Sequence, residues 1–331
     1  MAEFISTFTT GFQDIICDDL PRQIRGCKIV QIYDGLVHYS YNGNSRDLEK
    51  IPYFNNTFFV LATMKGGKIS FDDIMNSVAT NTKYYLVNKG SVRIKFVKEN
   101  QFTHVDLKTL NRAERIVLSN SKLKINHLDP STEIWYSIRR EGFGFCGQLI
   151  SKRTFTEKNL HPGELRPEIA YLICCFADIS DQDIIIDPFC GYGAIPMQLA
   201  THFKYKKLIA SDLDKNKITI VKSKKQIANN NNTAVFVQDA LVLDKIPDKY
   251  VDTIITDPPW GFYEKIDNII DFYEKMFNAM RRIIKDDGTI IILSARKQEL
   301  EIAAHQTGFK TKAKIHTLVN GKKASLYKFY I

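Results

Sequence analysis

Thr256–Gly261 reads Thr-Asp-Pro-Pro-Trp-Gly, and its residue types can do chemistry together. It follows a short apolar run, Val251–Ile255, that reads as a buried strand. Neither Pro258 nor Pro259 has an amide proton, so the sheet ladder must stop there. The chain therefore leaves the sheet with one carboxylate (Asp257), two stiff prolyl carbonyls and one large aromatic (Trp260) at its tip. That set suits a nucleobase bearing an exocyclic amine. Asp257 and the Pro258 carbonyl can each accept one N–H, while Trp260 can stack on the ring, worth roughly 1–3 kcal/mol per base. An amine held this way can point its lone pair at an electrophile, and such positioning is a large part of catalysis. A Pro-Pro turn with a capping Asp and a buried Trp would use the same residues structurally. A second motif upstream argues for the chemical reading.

That motif is Ile184–Pro196, Ile-Ile-Ile-Asp-Pro-Phe-Cys-Gly-Tyr-Gly-Ala-Ile-Pro, which reads as strand, Gly-x-Gly turn and helix. Gly191 and Gly193 allow a tight turn and close backbone approach by a ligand. The third glycine of a dinucleotide fingerprint is absent, so a pyrophosphate on this helix is not expected. Asp187 stands before the turn instead, and a carboxylate there suits the cationic amino-acid part of a ligand.

The elements that position these residues alternate strand and helix from residue 167 onward. Expected are a helix over Pro167–Ala177, strands over Ile184–Asp187, Leu208–Ser211, Ala234–Val237, Val251–Thr256 and Thr289–Ser294, and helices over Ala194–Ala200, Lys215–Ala228, Ile266–Ile284 and Lys297–Gln306. The long helix should end at Asp286-Asp287-Gly288, and a closing hairpin is expected around Asn320-Gly321. Such alternation implies a mostly parallel sheet with helices on both faces. Ligands bind at the carboxyl ends of such strands. Strand two ends at Asp212, which can accept ribose hydroxyls; Asp214 is the alternative, unless it caps the next helix. Strand three ends at Asp239-Ala240, where Asp239 can accept the amine of adenine.

With these residues in place, 160–331 resemble a class I S-adenosylmethionine-dependent methyltransferase. Asp-Pro-Phe-Cys-Gly-Tyr-Gly resembles its cofactor motif, and Thr-Asp-Pro-Pro-Trp-Gly resembles the motif of enzymes that methylate exocyclic amines. The resemblance implies S-adenosyl-L-methionine as cofactor, held by Asp187, Phe189, Gly191, Gly193, Asp212, Asp239 and Ala240, with Asp257, Pro258, Pro259 and Trp260 as the catalytic set. The motif order, cofactor first, is that of RNA-modifying enzymes with a UPF0020-type catalytic domain.

Composition sets the limits. The chain has 331 residues, 44% hydrophobic and 25% charged, with a net charge of +9. That is a globular protein of two or three domains with a mild lean toward a polyanionic partner. Its six cysteines include no Cys-x-x-Cys pair and its seven histidines no companion cluster, so no metal site and no disulfide framework are expected. No apolar leader and no run of about 18 apolar residues occurs, so no membrane partner is expected and a cytoplasmic location is.

The front half reads as two α/β pieces. Residues 1–45 carry a strand over Glu3–Phe8, a helix over Gly11–Leu20 that should stop before Pro21, and a hairpin at Asp34-Gly35. Residues 46–159 carry strands over Thr57–Thr63, Ser91–Val97, Glu133–Arg139 and Phe143–Ile150, with helices over Ser70–Thr80 and Thr109–Leu118. Nine Lys or Arg against three acids lie between Lys89 and Lys124. Arg93, Lys95, Arg112, Arg115, Arg139, Arg140, Lys152 and Arg153 are the candidate contacts to RNA phosphates.

Thr7–Phe12, Ser91–Phe96, Glu133-Ile134-Trp135 and Leu160–Pro167 together resemble the ferredoxin-like plus THUMP arrangement of tRNA guanosine-N2 methyltransferases. That resemblance implies RNA, tRNA in particular, as partner, and in some relatives a small activator subunit. The expected architecture is an α/β Rossmann-like methyltransferase domain over 160–331: a mostly parallel seven-stranded sheet with a C-terminal antiparallel hairpin. It is preceded by α+β ferredoxin-like and THUMP-like domains over 1–45 and 46–159. The expected reaction is methylation of guanosine N2 in tRNA. Two rivals are methylation of adenosine N6 in RNA and a silent RNA-binding subunit that need not bind the cofactor.

Overall fold

The computed structural model describes residues 1–80, 85–153, 160–262 and 265–331. The chain divides into two compact units, one of residues 1–8 and 20–153, the other of residues 9–19 and 154–331.

The first unit is built on β1 (Ala2–Thr7), β2 (Lys28–Tyr33), β3 (Leu36–Tyr41), β4 (Asn56–Lys65), β5 (Lys89–Lys98), β6 (Gln101–Phe102), β7 (Lys122–Ile125), β8 (Thr132–Ile138) and β9 (Phe143–Lys152). They form one nine-stranded sheet in the order β2-β3-β1-β4-β9-β8-β5-β6, with β7 beside β5. The two front pieces of the sequence thus share a sheet, because β1 pairs with β4 from Phe4–Phe59 to Thr7–Asn56. Helix α1 (Gln13–Gln23) runs through Pro21 instead of stopping before it. In the last turn a proline forgoes a single bond to the carbonyl four residues earlier, so the helix tolerates it. Helices α2 (Phe71–Thr80) and α3 (Leu107–Ser119) bury Ile74, Met75, Val78, Ala113 and Val117 in a core with Ile94 and Ile134. Ser70 caps α2 through its hydroxyl, which accepts from the Asp73 amide at 3.2 Å, and Asp73 accepts in return from the Ser70 amide at 2.9 Å.

The second unit follows the expected alternation: α4 (Pro167–Ala177), β10 (Ile184–Asp187), α5 (Ala194–His202), β11 (Lys207–Asp212), α6 (Lys215–Ser223), α7 (Lys225–Ala228), β12 (Thr233–Val237), β13 (Val251–Thr256), α8 (Ile269–Ile283), β14 (Ile284–Ser294), α9 (Lys297–Gln306), β15 (Lys310–Val319) and β16 (Lys322–Tyr330). The sheet order is β12-β11-β10-β13-β14-β16-β15. Pairs from β12 to β14 are parallel, and β16 runs antiparallel to both β14 and β15. Ile186, Ile254, Ile290 and Ile292 bury one face against Tyr273, Met276, Phe277 and Met280 of α8 and Leu300 of α9. The alternate residues Ile185, Ile255 and Ile291, equally buried, turn to the face that α4 covers.

Two boundaries differ from the sequence reading. The helix expected over Lys215–Ala228 is two helices, since the backbone is extended at Lys224 (φ −67°, ψ 124°). Asp286-Asp287-Gly288 does not end a helix but bulges out of β14. Val251 faces Ile284 while Thr253 already faces Thr289, so the extra residues loop outward. Gly288 is needed there, because a Cβ would stand 2.9 Å from the Asp252 carbonyl oxygen.

The chain winds outward from β10 through β11 to β12, then returns to build β13 and β14 on the other side. This reversal lies between β10 and β13, and it opens a crevice at their carboxyl ends.

Candidate active site

A cavity of about 570 Å³ fills that crevice, within the usual range for a cofactor site. Asp187 ends β10 and is buried to 1% exposure. Its Oδ1 accepts from the Thr256 hydroxyl at 2.8 Å and the Phe189 amide at 3.3 Å. Burial pushes its carboxyl up to about 8 despite these donors, and the charge of Asp212 adds to the rise.

The turn after β10 separates the roles of its glycines. Gly191 (φ +52°) lines the cavity, has open space where a Cβ would be, and donates its N–H to Asp212 Oδ2 at 2.9 Å. Gly193 (φ +86°) opens α5 away from the cavity lining, and a Cβ there would meet Val221 at 3.0 Å. Its requirement is conformation and packing. Phe189 and Ala240 both line the cavity.

Asp212 and Asp214 also divide. Asp214 caps α6, accepting from the Asn216 amide at 2.8 Å. Asp212 lines the cavity with Oδ1 accepting from the Asp214 amide at 2.9 Å and Oδ2 from Gly191, so each oxygen keeps a lone pair for a ligand hydroxyl. Asp239 accepts from the Leu241 amide at 2.8 Å and lines the same cavity.

Asp257 follows β13 directly. Its Oδ1 is buried with no hydrogen-bond partner among the described residues, and the side chain lines the cavity. Burial drives its carboxyl well above the usual range, and the charge of Asp187 adds to this; only the Trp260 indole opposes it. A buried acceptor left open costs free energy unless a ligand satisfies it.

Three residues that sequence reasoning missed hold the rest of the tip. The Tyr273 hydroxyl donates to the Pro259 carbonyl at 3.2 Å and lies 3.2 Å from Ser294 Oγ. Arg296 donates from Nε to the Trp260 carbonyl at 2.8 Å, and its own amide donates to Ser294 Oγ at 3.0 Å. The Trp260 indole donates to the Leu293 carbonyl at 3.3 Å. The Pro258 carbonyl is bonded to none of the described residues, so it stands beside Asp257 as a second acceptor. The strand that follows and both of its flanking helices thus clamp one loop. Ser294 and Arg296 sit at a strand end, where a carboxyl-edge rule could have flagged them; Tyr273 carried no signal beyond helical spacing.

In the first unit the expected basic contacts are mostly engaged within the protein. Arg93 and Lys95 share Glu133, itself 8% exposed, at 2.5 and 3.0 Å. The Lys95 ammonium also lies 4.7 Å from the Phe102 ring and 5.3 Å from Trp135. Arg112 binds Asp72 and Asn76. Arg115 donates to the Asn111 carbonyl at 3.4 Å, Arg140 to Glu99 at 2.7 Å, and Arg153 to Asn55 at 3.2 Å. Arg139 is a correction: at 6% exposure it ties Asn100, Glu141 and the Asp34 carbonyl together beneath the β8–β9 turn, with no surface to offer a phosphate. Lys152 is exposed.

Comparisons with known proteins bear on the family and the fold. The family described as UPF0020, RMKL-like, methyltransferase domain, matches residues 153–325. The tRNA (guanine(6)-N2)-methyltransferase of Methanocaldococcus jannaschii is 23% identical, covering 96% of this chain and 97% of that protein. The tRNA (guanine(10)-N2)-dimethyltransferase of the same organism is 25% identical, covering 80% of this chain and 76% of its own. The crystal structure of TrmN from Thermus thermophilus shares the fold over 100% of this chain and 99% of its own, with a TM-score of 0.80 at 17% identity.

Proposed function

This chain belongs to the UPF0020 family of RMKL-like methyltransferase domains, and on that footing we propose that it methylates N2 of a guanosine in tRNA, with S-adenosyl-L-methionine as the methyl donor. The observation that carries the reading is the pair of unengaged acceptors, Asp257 Oδ1 and the Pro258 carbonyl, at the tip beside the switch point.

The residues present fit the cofactor. Carboxylates dominate the described charged lining (Glu164, Asp187, Asp212, Asp214, Asp239 and Asp257), which suits a ligand carrying a sulfonium and an ammonium. Asp187 would take the amino-acid end, Asp212 the ribose hydroxyls and Asp239 the adenine amine, with Gly191 giving room for close approach. When bound, the cofactor supplies an electrophilic methyl group: the carbon–sulfur bond breaks as a carbon–nitrogen bond forms, leaving S-adenosylhomocysteine and a proton.

Everything else falls to this chain. Asp257 and Pro258 accept the two N–H groups of the guanine amine and so turn its lone pair toward the methyl group. Asp257 then faces a nitrogen that is gaining positive charge, and its carboxylate lowers the energy of that state. Trp260, fixed by Leu293 and Arg296, stacks on a base that is extruded or already unpaired. The first unit, which we read as the ferredoxin-like and THUMP-like half, presents the tRNA. Its exposed cations, Lys152 and Arg140 among them, are suited to phosphates.

Nucleoside mass spectrometry of tRNA from cells with and without the gene tests the reading. Loss of N2-methylguanosine supports it, and loss of N6-methyladenosine would move the base to adenine.

A further inference from the structure

The walls of the cavity differ in charge. Acidic side chains stand at the tips of β10 to β13, whereas the wall formed by Trp260–Phe262 and the β15–β16 turn carries Lys322. The second described lysine of the lining, Lys217, lies elsewhere, 5.8 Å from the Tyr192 ring on the side of α6.

Lys322 is held in place from two directions. Val319 pairs with Lys322 across the two-residue turn Asn320-Gly321 (φ +49° and +77°), so hairpin geometry pins its backbone at the cavity. Its ammonium lies 3.6 Å from the centroid of the Phe262 ring. Phe262 is 45% exposed and lines the cavity edge-on to Trp260, with ring centroids 6.2 Å apart at 82°. Arg296 approaches the same ring at 4.8 Å, but it also binds the Trp260 carbonyl and pairs with Glu299 at 3.6 Å. Arg296 stiffens the wall from outside the cavity lining, and among the described residues of this wall Lys322 is the cation that lines the cavity.

A nucleotide whose base sits on Asp257 and Trp260 must lead its phosphate out of the cavity. The acidic strand tips repel that phosphate, and the Phe262 wall attracts it. We propose that Lys322 is a positioning residue that grips the backbone phosphate of the target nucleotide, with the Phe262 ring as the seat of its ammonium group. This rests on the RNA-methylation reading above. It makes Phe262 and Lys322 part of how the base is presented, in addition to the Asp-Pro-Pro-Trp set.

The test uses the full chain and, as probe, bulk tRNA from cells lacking the gene. Methyl transfer is followed against tRNA concentration, and filter binding against salt. Lys322→Gln should raise the KM for tRNA roughly tenfold and make the slope of log K against log salt shallower by about one, the signature of one lost phosphate contact. The KM for S-adenosylmethionine and the kcat should hold, and Lys322→Arg should restore the tRNA KM. Phe262→Leu should move the tRNA KM in the same direction as Lys322→Gln. A Lys322→Gln enzyme with wild-type tRNA KM and salt slope, or one whose defect lies in the cofactor KM, overturns the phosphate contact while leaving the methylation reading intact. A wild-type protein that binds cofactor yet methylates no tRNA overturns both.

Discussion

The Thr256 hydroxyl donates to Asp187 Oδ1 across 2.8 Å, tying together the tips of β10 and β13, the strands between which the chain's winding reverses. One bond thus joins the carboxylate assigned to the cofactor to the strand that delivers Asp257. Thr256→Val keeps the shape and removes the donor. It should cost about 1–2 kcal/mol of stability, because a buried carboxyl oxygen loses the shorter of its two hydrogen bonds. It should also weaken cofactor binding several-fold. Melting curves and cofactor titration check the two effects separately.

The pH dependence of stability follows from the same pair. Asp187 is raised to about 8, chiefly by burial, and Asp257 is raised in the same direction. A carboxyl whose folded pKa is raised stabilises the fold fully below its unfolded pKa, about 4, and loses that contribution as pH climbs through the folded value. The cofactor-free protein should therefore melt at progressively lower temperature from pH 5 to 8.5. Asp187→Asn should flatten this trend. Equal slopes for wild type and variant would show that Asp187 does not cause it.

Gly11 marks a contact that a side chain would destroy. It has φ +93°, and a Cβ would lie 1.9 Å from the His316 carbonyl oxygen of β15. The neighbouring Thr10 carbonyl accepts from the Thr317 hydroxyl at 2.8 Å. Gly11→Ala should destabilise by more than about 2 kcal/mol, from backbone strain and overpacking together. Chemical denaturation measures this directly, and a change under 0.5 kcal/mol would contradict it.

Tyr273 tests whether the tip must be held. Tyr273→Phe removes the bonds to the Pro259 carbonyl and Ser294 while keeping the buried ring. The kcat should fall about three- to tenfold, since small misplacements are costly in a positioning mechanism. The cofactor Kd should not change. A fall in cofactor affinity with unchanged kcat would mean the tyrosine supports the wrong half of the site.

The sequence carried the second unit well because its signals are local. Ile184–Asp187 and Val251–Thr256 are short apolar runs closed by Asp-Pro, and Pro167 stands in the first turn of α4. Where a residue's role depends on what a distant segment brings to it, local signals stopped short. Period and charge show Arg93 and Lys95 on one face, but only the pairing of β5 with β8 shows that Glu133 meets both. Arg139 reads as half of a basic pair, and the fold buries it beneath a turn. Ser294 and Arg296 stand at a strand end that the carboxyl-edge rule covers, whereas Tyr273 became visible only once α8 brought its hydroxyl to the Pro259 carbonyl. Asp212 was the first choice for the ribose and Asp214 the alternative, and the start of α6 takes Asp214 as its cap.

If the Asp257 carboxylate orients and stabilises the accepting amine, Asp257→Asn should abolish most of the turnover. Wild-type and variant protein would be incubated with labelled S-adenosylmethionine and tRNA from cells lacking the gene. Product nucleosides would be identified by mass spectrometry, and cofactor affinity would be measured alongside. The wild type should yield N2-methylguanosine, at a rate that rises with pH as Asp257 ionises. The variant's kcat should be about 10²–10³ lower, the scale of losing a charge-stabilising group, with cofactor affinity within a few-fold of normal. A variant that methylates guanosine at near wild-type rate would rule out that role for the Asp257 carboxylate.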